Sequence, residues 1–338
     1  MNVLPSLSAI SFDEVLAALL DAENIFPPRY LYRLSDLNRI EIDRLTEVWP
    51  EIPAWRRQAL LEDIDELFFS NTLLHFEPIC RLAFQDADAG VRFAALRSLL
   101  EYEVDDLIPD FIEILERDED VEVRALAAIS LGKYVYQGVL DELPEDVLQQ
   151  IEESLLQAAT GPTPALVQRR AIEALGFSMR PEVPDLIAEA FVRPENEWKA
   201  SALFAMGRTC DPTWASDILE MLDHVDPTIR FEAARAAGEI EIQSAKTRLI
   251  ELLDDTDQNV RMAALWSLSA IGGGDLLELF DTLRDETESD EEAQLIDDAL
   301  DNLLFNLNMG FGEIMSVPEE LDETDFIEFY PGEEDDID

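Results

Sequence analysis

Apolar residues recur at three- and four-residue intervals through most of the chain, with polar residues between them. This spacing is typical of amphipathic helices, because it places the apolar side chains on one face. Two such helices are predicted near the start, at Phe12 to Ala22 and at Asp36 to Val48, around Pro27 and Pro28. Glycine is scarce, with 13 residues, which argues against an all-β protein rich in tight turns. The pattern therefore predicts an all-helical chain.

The helical pattern repeats between residues 75 and 284. In each copy an apolar residue precedes a basic or polar residue, and small residues then lead to a Leu-Gly or similar pair. The basic or polar position is occupied by Arg92, Arg124, Gln168, Lys199, Arg230 and Arg261. These positions are evenly spaced except for one longer interval, between Arg124 and Gln168, which indicates stacked helical hairpins with one insertion. The longer interval holds 13 extra residues between Lys133 and Leu166, which we expect to extend one helix and its loops.

A second apolar-periodic segment accompanies each copy and is the predicted first helix of its hairpin. These segments are Leu107 to Leu115, Val147 to Leu156, Val183 to Phe191, Ile218 to Leu222, Leu249 to Leu253 and Leu276 to Leu283. Weaker copies at Trp55 to Ala59 and Glu291 to Leu304 are candidates for extending the array. We predict a helical N-terminal cap over residues 1–70, with a degenerate first repeat as an open possibility. A repeat array over residues 71–308 and an acidic, disordered tail over residues 309–338 complete the predicted organisation.

The second helices carry the pattern D-x-x-V-R-x-x-A-A-x-x-L-G, most fully from Asp120 to Gly132. This pattern resembles the HEAT repeat, including the short form of phycobilin-lyase-like repeat proteins. The resemblance implies an all-α fold, a right-handed α-solenoid (superhelix) of HEAT-like helical hairpins. The motif's Asp suits the N-cap of the second helix. In the family resembled, this Asp and the Arg four residues later form a ladder between repeats, so we expect a structural role for them.

The net charge of −51 narrows the choice of partners. It disfavours nucleic-acid phosphates and anionic membranes, and it favours basic protein partners. The alternative is that the charge only keeps a Leu-rich solenoid soluble. Residues 285–338 hold 21 acidic residues and no Lys or Arg, yet Phe326, Phe329 and Tyr330 interrupt the acidic run. We predict that this tail motif recruits a basic partner or docks on the inner face of the array, and the alternative is a tail that only solvates.

Catalytic and metal-binding motifs are missing from the sequence. The two histidines, His75 and His224, cannot form a metal site alone, and the His-Glu dyads of HEAT-like deoxyhypusine hydroxylases are not found. No GxSxG, Walker A or GxGxxG pattern occurs, and Cys80 and Cys210 do not form a CxxC pair. We therefore predict a protein that is not an enzyme and needs no cofactor or metal. Residues 1–20 lack the basic start of a signal peptide, so a cytoplasmic location is expected.

Partner-binding residues are predicted on the concave face, which the second helices line in a stack of this type. Counted from the apolar residue that opens each motif, the second, third, sixth and tenth following positions should point outward. The predicted partner-binding residues at these positions are Phe93, Arg97, Lys133, Arg169, Arg170, Phe204, Arg208, Phe231, Arg235 and Trp266. Arg and aromatic residues dominate binding hot spots. The alternative is that the aromatic side chains pack against the next repeat.

The leading hypothesis is a non-enzymatic scaffold or adaptor that binds a protein or peptide on this face. A second hypothesis is an assisting subunit of a chromophore lyase or other modifying enzyme complex, because such repeats occur there. A third, weaker hypothesis is a nucleic-acid-processing protein, which the charge disfavours.

Overall fold

The structure, a computed structural model, describes residues 10–309 except residues 72, 103 and 288, and leaves out the side chains of residues 291, 308 and 309. Within this part of the chain all regular secondary structure is helical, which confirms the predicted all-α fold. None of the described helices is long and apolar enough to cross a membrane. The chain divides into two compact units between Ala174 and Leu175. The right-handed superhelix stays a prediction, and residues 310–338 of the predicted tail lie outside the described residues.

The first unit contains nine α-helices in its described part. They are α1 Phe12–Leu20, α2 Arg39–Val48, α3 Ala54–Ser70, α4 Glu77–Ala83, α5 Ala89–Leu99, α6 Ile108–Arg117, α7 Val121–Val139, α8 Glu145–Thr160 and α9 Ala165–Ala174. Short 3-10 segments lie at Pro28–Leu34, Trp49–Glu51 and Asp105–Leu107. Each of α4, α6 and α8 packs against the helix that follows it, and α3, α5, α7 and α9 pack in succession. These contacts build hairpins whose second helices form one layer.

The predicted helix from Asp36 to Val48 begins later than expected. Asp36 has a φ of 53°, a left-handed conformation that cannot continue a helix. Asn38 then caps α2, because its Oδ1 accepts the N–H groups of Ile40 at 3.0 Å and Glu41 at 3.2 Å. The insertion in the long repeat lengthens two helices, α7 to 19 residues and α8 to 16, where one longer helix with its loops was expected.

The second unit continues the same hairpin pattern. Its described α-helices are α10 Val183–Phe191, α11 Asn196–Arg208, α12 Ala215–Met221, α13 Pro227–Glu239, α14 Lys246–Leu252, α15 Gln258–Ile271, α16 Asp275–Glu286 and α17 Asp290–Met309. Short 3-10 segments lie at Leu175–Phe177, Pro212–Trp214 and Gln243–Ala245. α11, α13, α15 and α17 pack directly on one another, and α10, α12, α14 and α16 each pack on the following helix. α17 thus confirms the degenerate copy predicted at Glu291 to Leu304.

Glycine sets how closely the second helices approach. A Cβ added to Gly238 of α13 would lie 2.7 Å from the Ser267 Cα of α15, and one added to Gly207 would lie 3.1 Å from the Ala236 Cα. The distance at Gly238 is shorter than real Cβ contacts, so this position requires glycine, whereas a Cβ at Gly207 would require α13 to move by a few tenths of an ångström. A second use of glycine is the turn after α15, where Gly272 and Gly273 have φ values of 78° and 122°. These glycines therefore form the turn between α15 and α16.

Candidate functional site

The motif aspartates cap the second helices, as predicted. Asp120 Oδ1 accepts the N–H groups of Glu122 at 2.9 Å and Val123 at 3.1 Å. Asp88, Asp226 and Asp257 accept N–H groups at the starts of α5, α13 and α15 in the same way. A carboxylate at this place satisfies helical N–H groups that have no other partner and favours the positive end of the helix. The capping Asp side chains therefore have a structural role.

Arg92 and Arg230 link their repeats to the next, but their acceptor is a different aspartate from the one that caps, and Arg124 instead donates to the Leu115 carbonyl of its own repeat. Arg92 donates two hydrogen bonds to Asp118, at 2.8 and 2.7 Å, and Arg230 donates two to Asp255, both at 2.8 Å. Asp118 and Asp255 stand two residues before capping aspartates and also accept their backbone N–H groups at 2.9 Å. The ladder implied by the family resemblance exists in these repeats, with the first Asp of an Asp-x-Asp pair as its acceptor.

The same ladder includes the weak copy at Trp55 to Ala59. Arg57 of α3 donates to Asp86 at 3.0 Å, and Asp86 accepts the N–H of Asp88 at 2.8 Å. Trp49 Nε1 donates to the other oxygen of Asp86 at 2.7 Å. The bond pattern matches that of Arg92 and Arg230, as expected if α3 is the second helix of a degenerate first repeat. The division of residues 1–70 into a cap and such a repeat stays a prediction.

Charge pairing shifts the pKa values of the ladder groups. The hydrogen bonds from Arg230 hold the pKa of Asp255 below its ordinary value, and the same pair raises the pKa of Arg230. Hydrogen bonding to Asp118 likewise raises the pKa of Arg92. Asp255 and Arg230 therefore stay charged near neutral pH, and this link of the ladder is a permanent ion pair. Its role is to connect repeats.

In the first unit, the predicted partner-binding residues lie on the second helices and hold them together. Arg97 pairs with Asp65 of α3 at 3.0 Å, and Lys133 Nζ donates to the Leu100 carbonyl at 3.2 Å. Arg170 pairs with Glu173 of its own helix at 2.8 Å. Phe93 and Arg169 are half-buried on α5 and α9. The structure thus gives Arg97 and Lys133 contacts between repeats, and their binding role stays a prediction.

In the second unit, the structure brings three predicted residues into one cluster. The Arg208 guanidinium carbon lies 4.3 Å from the centre of the Phe204 ring, and that of Arg235 lies 3.9 Å from the same ring. Arg208 also lies 4.7 Å from the Phe177 ring. A guanidinium on an aromatic ring is attracted to its electron-rich face. We call Phe204, Arg208 and Arg235 the arginine–phenylalanine cluster.

Carboxylates on α13 neutralise one side of this cluster. Arg235 pairs with Glu232 at 3.0 Å and with Glu239 at 2.7 Å. Its guanidinium also donates to the Phe204 carbonyl of α11 at 3.4 Å, which ties α13 to α11. The two arginines of the cluster and these two glutamates together carry no net charge. In a strongly acidic protein, this group of side chains is therefore balanced.

Trp266 continues the cluster on α15. Phe204, Arg235 and Trp266 occupy equivalent positions in three successive repeats, each the sixth after the motif's apolar residue, on helices that pack side by side. We call these three residues the inner row. Trp266 is 46% exposed, whereas Phe204 is buried against the arginines. Phe231 of α13 is half-buried. The row thus offers one large exposed aromatic side chain beside a rigid cluster.

Three participants were not predicted from the sequence. Asp65, Phe177 and the first aspartate of each Asp-x-Asp pair all contact residues that were singled out, and none was itself assigned a role. For Asp65 a signal was present, because it precedes Arg97 by one repeat length. A second signal was the recurring Asp-x-Asp spacing, in which only the second aspartate belongs to the motif.

No group of three or more His, Cys, Asp or Glu side chains in the described part of the chain is arranged to hold a metal ion. His75 pairs with Glu77 at 3.2 Å, and the Nδ1 of His224 accepts the Asp226 N–H at 3.1 Å. Cys80 is buried, which raises the pKa of its thiol to about 12. The tail motif, Phe326, Phe329 and Tyr330, lies outside the described residues.

Residues 76–159, 108–207, 183–269 and 215–301 match the profile of the family described as HEAT repeats, so the matches together span more than half of the chain. No curated protein sequence matches the chain.

Three solved structures are similar to this chain at low sequence identity. The complex of CpcE and CpcF of phycocyanin lyase from Nostoc sp. PCC7120 is 19% identical, with a TM-score of 0.46 over 67% of this chain and 94% of that one. Human deoxyhypusine hydroxylase is 16% identical, with a TM-score of 0.34 over 77% of this chain and 95% of that one. Importin beta is 12% identical, with a TM-score of 0.44 over 89% of this chain and 47% of that one.

Proposed function

The chain belongs to the HEAT-repeat family, and on that premise we propose that it is a non-enzymatic scaffold or adaptor that binds a protein or peptide partner along its second helices. Fold alone does not assign a function, so the proposal rests on the surface itself. The observation that carries it is the inner row of the second unit, where the half-exposed Trp266 stands beside the arginine–phenylalanine cluster.

The chemistry of the inner row suits protein recognition. Trp and Arg are the residues most enriched in binding hot spots, where they bury large areas against a partner. Stacking and ion pairs fix Arg235 before a partner arrives, so little side-chain entropy is lost on binding. A charge-balanced group of side chains inside an acidic protein also lowers the cost of bringing a partner close. The surrounding acidic residues would speed the approach of a basic partner.

A cytoplasmic setting is part of the proposal. Both cysteines are free thiols, Cys80 buried and Cys210 exposed, and neither is paired in a disulfide. Free, unpaired cysteines fit a reducing compartment.

Quantitative affinity purification of the full chain tests the proposal. Trp266→Ser removes the exposed aromatic side chain of the inner row, and Trp55→Ser is a matched control, since Trp55 is 58% exposed on α3 of the first unit. We expect a set of proteins to co-purify with the wild type and with Trp55→Ser, and to be lost with Trp266→Ser. An identical set of proteins with all three chains would remove the inner row as the binding surface.

The alternative role, an assisting subunit of a chromophore lyase or other modifying enzyme complex, has its own test. Such a subunit is expected to bind a tetrapyrrole or to co-purify with one dedicated partner subunit. Visible absorbance of the protein purified from its native cells would support this role. A spectrum with protein absorbance alone, together with partners of other kinds, would favour the scaffold.

A further inference from the structure

One side of α17 holds it to the rest of the second unit. Asn302 donates to the Ser269 hydroxyl at 2.8 Å, and Asn306 donates to the Ser269 carbonyl at 3.1 Å. Arg284 of α16 pairs with Asp297 at 2.8 Å. Ile296, Ala299 and Leu303 are buried beneath these contacts. α15 therefore contacts one side of α17, and Arg284 of α16 reaches Asp297 on a different side.

The other flank of α17 carries a line of leucines. Leu300, Leu304 and Leu307 follow one another at four- and three-residue spacing, which places them on one stripe of the helix. Leu304 is 44% exposed, and Leu300 and Leu307 are half-buried. In the described part of the chain the main helix contacts of α17 are with α15 and α16. We call Leu300, Leu304 and Leu307 the leucine stripe.

Leu300 occupies a position that contacts the following second helix in earlier repeats. The equivalent residues in the three preceding repeats are Ser269, Gly238 and Gly207. Ser269 binds α17, and the two glycines allow close approach of α15 and α13. A leucine at this place keeps a neighbouring helix farther away. The stripe is therefore unsuited to another close-packed repeat and fits a helix at ordinary packing distance.

Charge selects the partner for the stripe. Asp301 is exposed at its outer edge, where Asp297 is already paired with Arg284 of α16. A second copy of this chain would place its own Asp301 against this one. Residues 310–338 of the chain contain 12 acidic residues and no Lys or Arg, so that segment would also meet like charge. A partner helix with leucines on one face can pack on the stripe, and Lys or Arg beside those leucines can pair with the aspartate at its edge.

We infer that the leucine stripe of α17 is a docking surface for an amphipathic, basic helix of a partner protein. This surface is separate from the inner row, so it does not depend on the proposed function. Leucines of the partner would lie on Leu300, Leu304 and Leu307, and a basic side chain would reach Asp301. Binding of this kind combines apolar burial with salt-sensitive attraction.

Fluorescence anisotropy with the full chain tests the inference directly. The probe is a labelled peptide of leucine and lysine with leucines at helical three- and four-residue spacing, titrated at near-physiological salt. The matched control peptide has the same composition in scrambled order. Phe305→Ser is the matched control variant, because Phe305 is 45% exposed and lies on a different side of the same helix.

Specific results decide the inference. We expect Leu304→Ser to weaken peptide binding about tenfold and Asp301→Asn about threefold. The control variants Phe305→Ser and Trp266→Ser should bind the peptide as the wild type does. The peptide with the scrambled order should bind more weakly than the ordered one. No binding, equal binding of the scrambled peptide, or no effect of Leu304→Ser would overturn it. A dimer in sedimentation that Leu304→Ser disrupts would assign the stripe to a second copy. Tighter peptide binding by Phe311→Ser would assign it to the chain's own C-terminal segment. Thermal melting by circular dichroism confirms that each variant is folded.

Discussion

Arginine serves two different purposes in this repeat, at two places on the second helix. Near the helix start, Arg92 and Arg230 each donate two hydrogen bonds to an aspartate of the next repeat and others to backbone carbonyls. Farther along, Arg208 and Arg235 lie on the Phe204 ring. The first arrangement recurs in separate repeats, at Arg92 and at Arg230, whereas the second gathers two arginines on a single ring. A side chain that makes the same contact in separate repeats is a building element, and one that a single place uses is a candidate for binding.

The largest expected effect comes from removing a ladder arginine. Arg230→Leu should lower the free energy of unfolding by about 2–3 kcal/mol, because Asp255 would keep its charge in a nearly buried place without its partner. Urea denaturation followed by circular dichroism measures this loss. Arg284→Leu is the control, since its pair with Asp297 is nearly half exposed and should contribute less than about 1 kcal/mol. Equal losses would contradict the distinction between ladder and surface arginines.

Close packing of the second helices is the next target. Gly238→Ala places a Cβ against Ser267 of α15 and should cost about 1–3 kcal/mol, despite the better helix propensity of alanine. Gly274→Ala is the control, because a Cβ there would meet no atom within 4 Å. The same denaturation experiment measures both. A stabilised Gly238→Ala chain would show that the helices are not as close as described.

Acid should remove the contribution of the ladder carboxylate. The folded-state pKa of Asp255 is lowered by Arg230, so its stabilisation is present above the ordinary aspartate pKa and is lost as the pH falls through the lowered value. Asp255→Asn should therefore destabilise the protein by about 1 kcal/mol at neutral pH. The difference from the wild type should shrink below about pH 4. Denaturation midpoints measured from pH 7 to strongly acidic pH follow it, and a constant difference would argue against the ion pair.

The smallest effect on stability is expected at the inner row. Trp266→Ser should change the free energy of unfolding by no more than about 0.5 kcal/mol, because the side chain is half exposed. Thermal melting measures this change. A loss comparable to that of Arg230→Leu would show that Trp266 supports the fold and weaken its assignment to binding.

Periodicity predicted the fold because each hairpin repeats the same local requirements. The capping aspartates, the first and second helices and the long α7–α8 pair all follow from spacing that is visible in the sequence. The start of α2 did not, because the left-handed Asp36 is a backbone feature that the apolar pattern does not reveal.

The site was less accessible to prediction, because it depends on pairs of side chains from different repeats. The positions counted along each motif placed Phe204, Arg208 and Arg235 on the second helices. They did not reveal that the two arginines stack on the Phe204 ring. Nor did they show that Arg97 and Lys133 are held by Asp65 and a backbone carbonyl. Such contacts require the distance between neighbouring helices, which the small residues set only after folding.

Amide hydrogen exchange of the full chain, with and without a protein recovered by the affinity purification, tests the central claim most directly. The account predicts that the partner slows exchange in α11, α13 and α15, the helices that carry the inner row. Trp266→Ser should abolish this slowing, and Trp55→Ser should leave it intact. Slowed exchange confined to the first helices α10, α12 and α14 would contradict the claim, because the partner would then occupy the opposite layer.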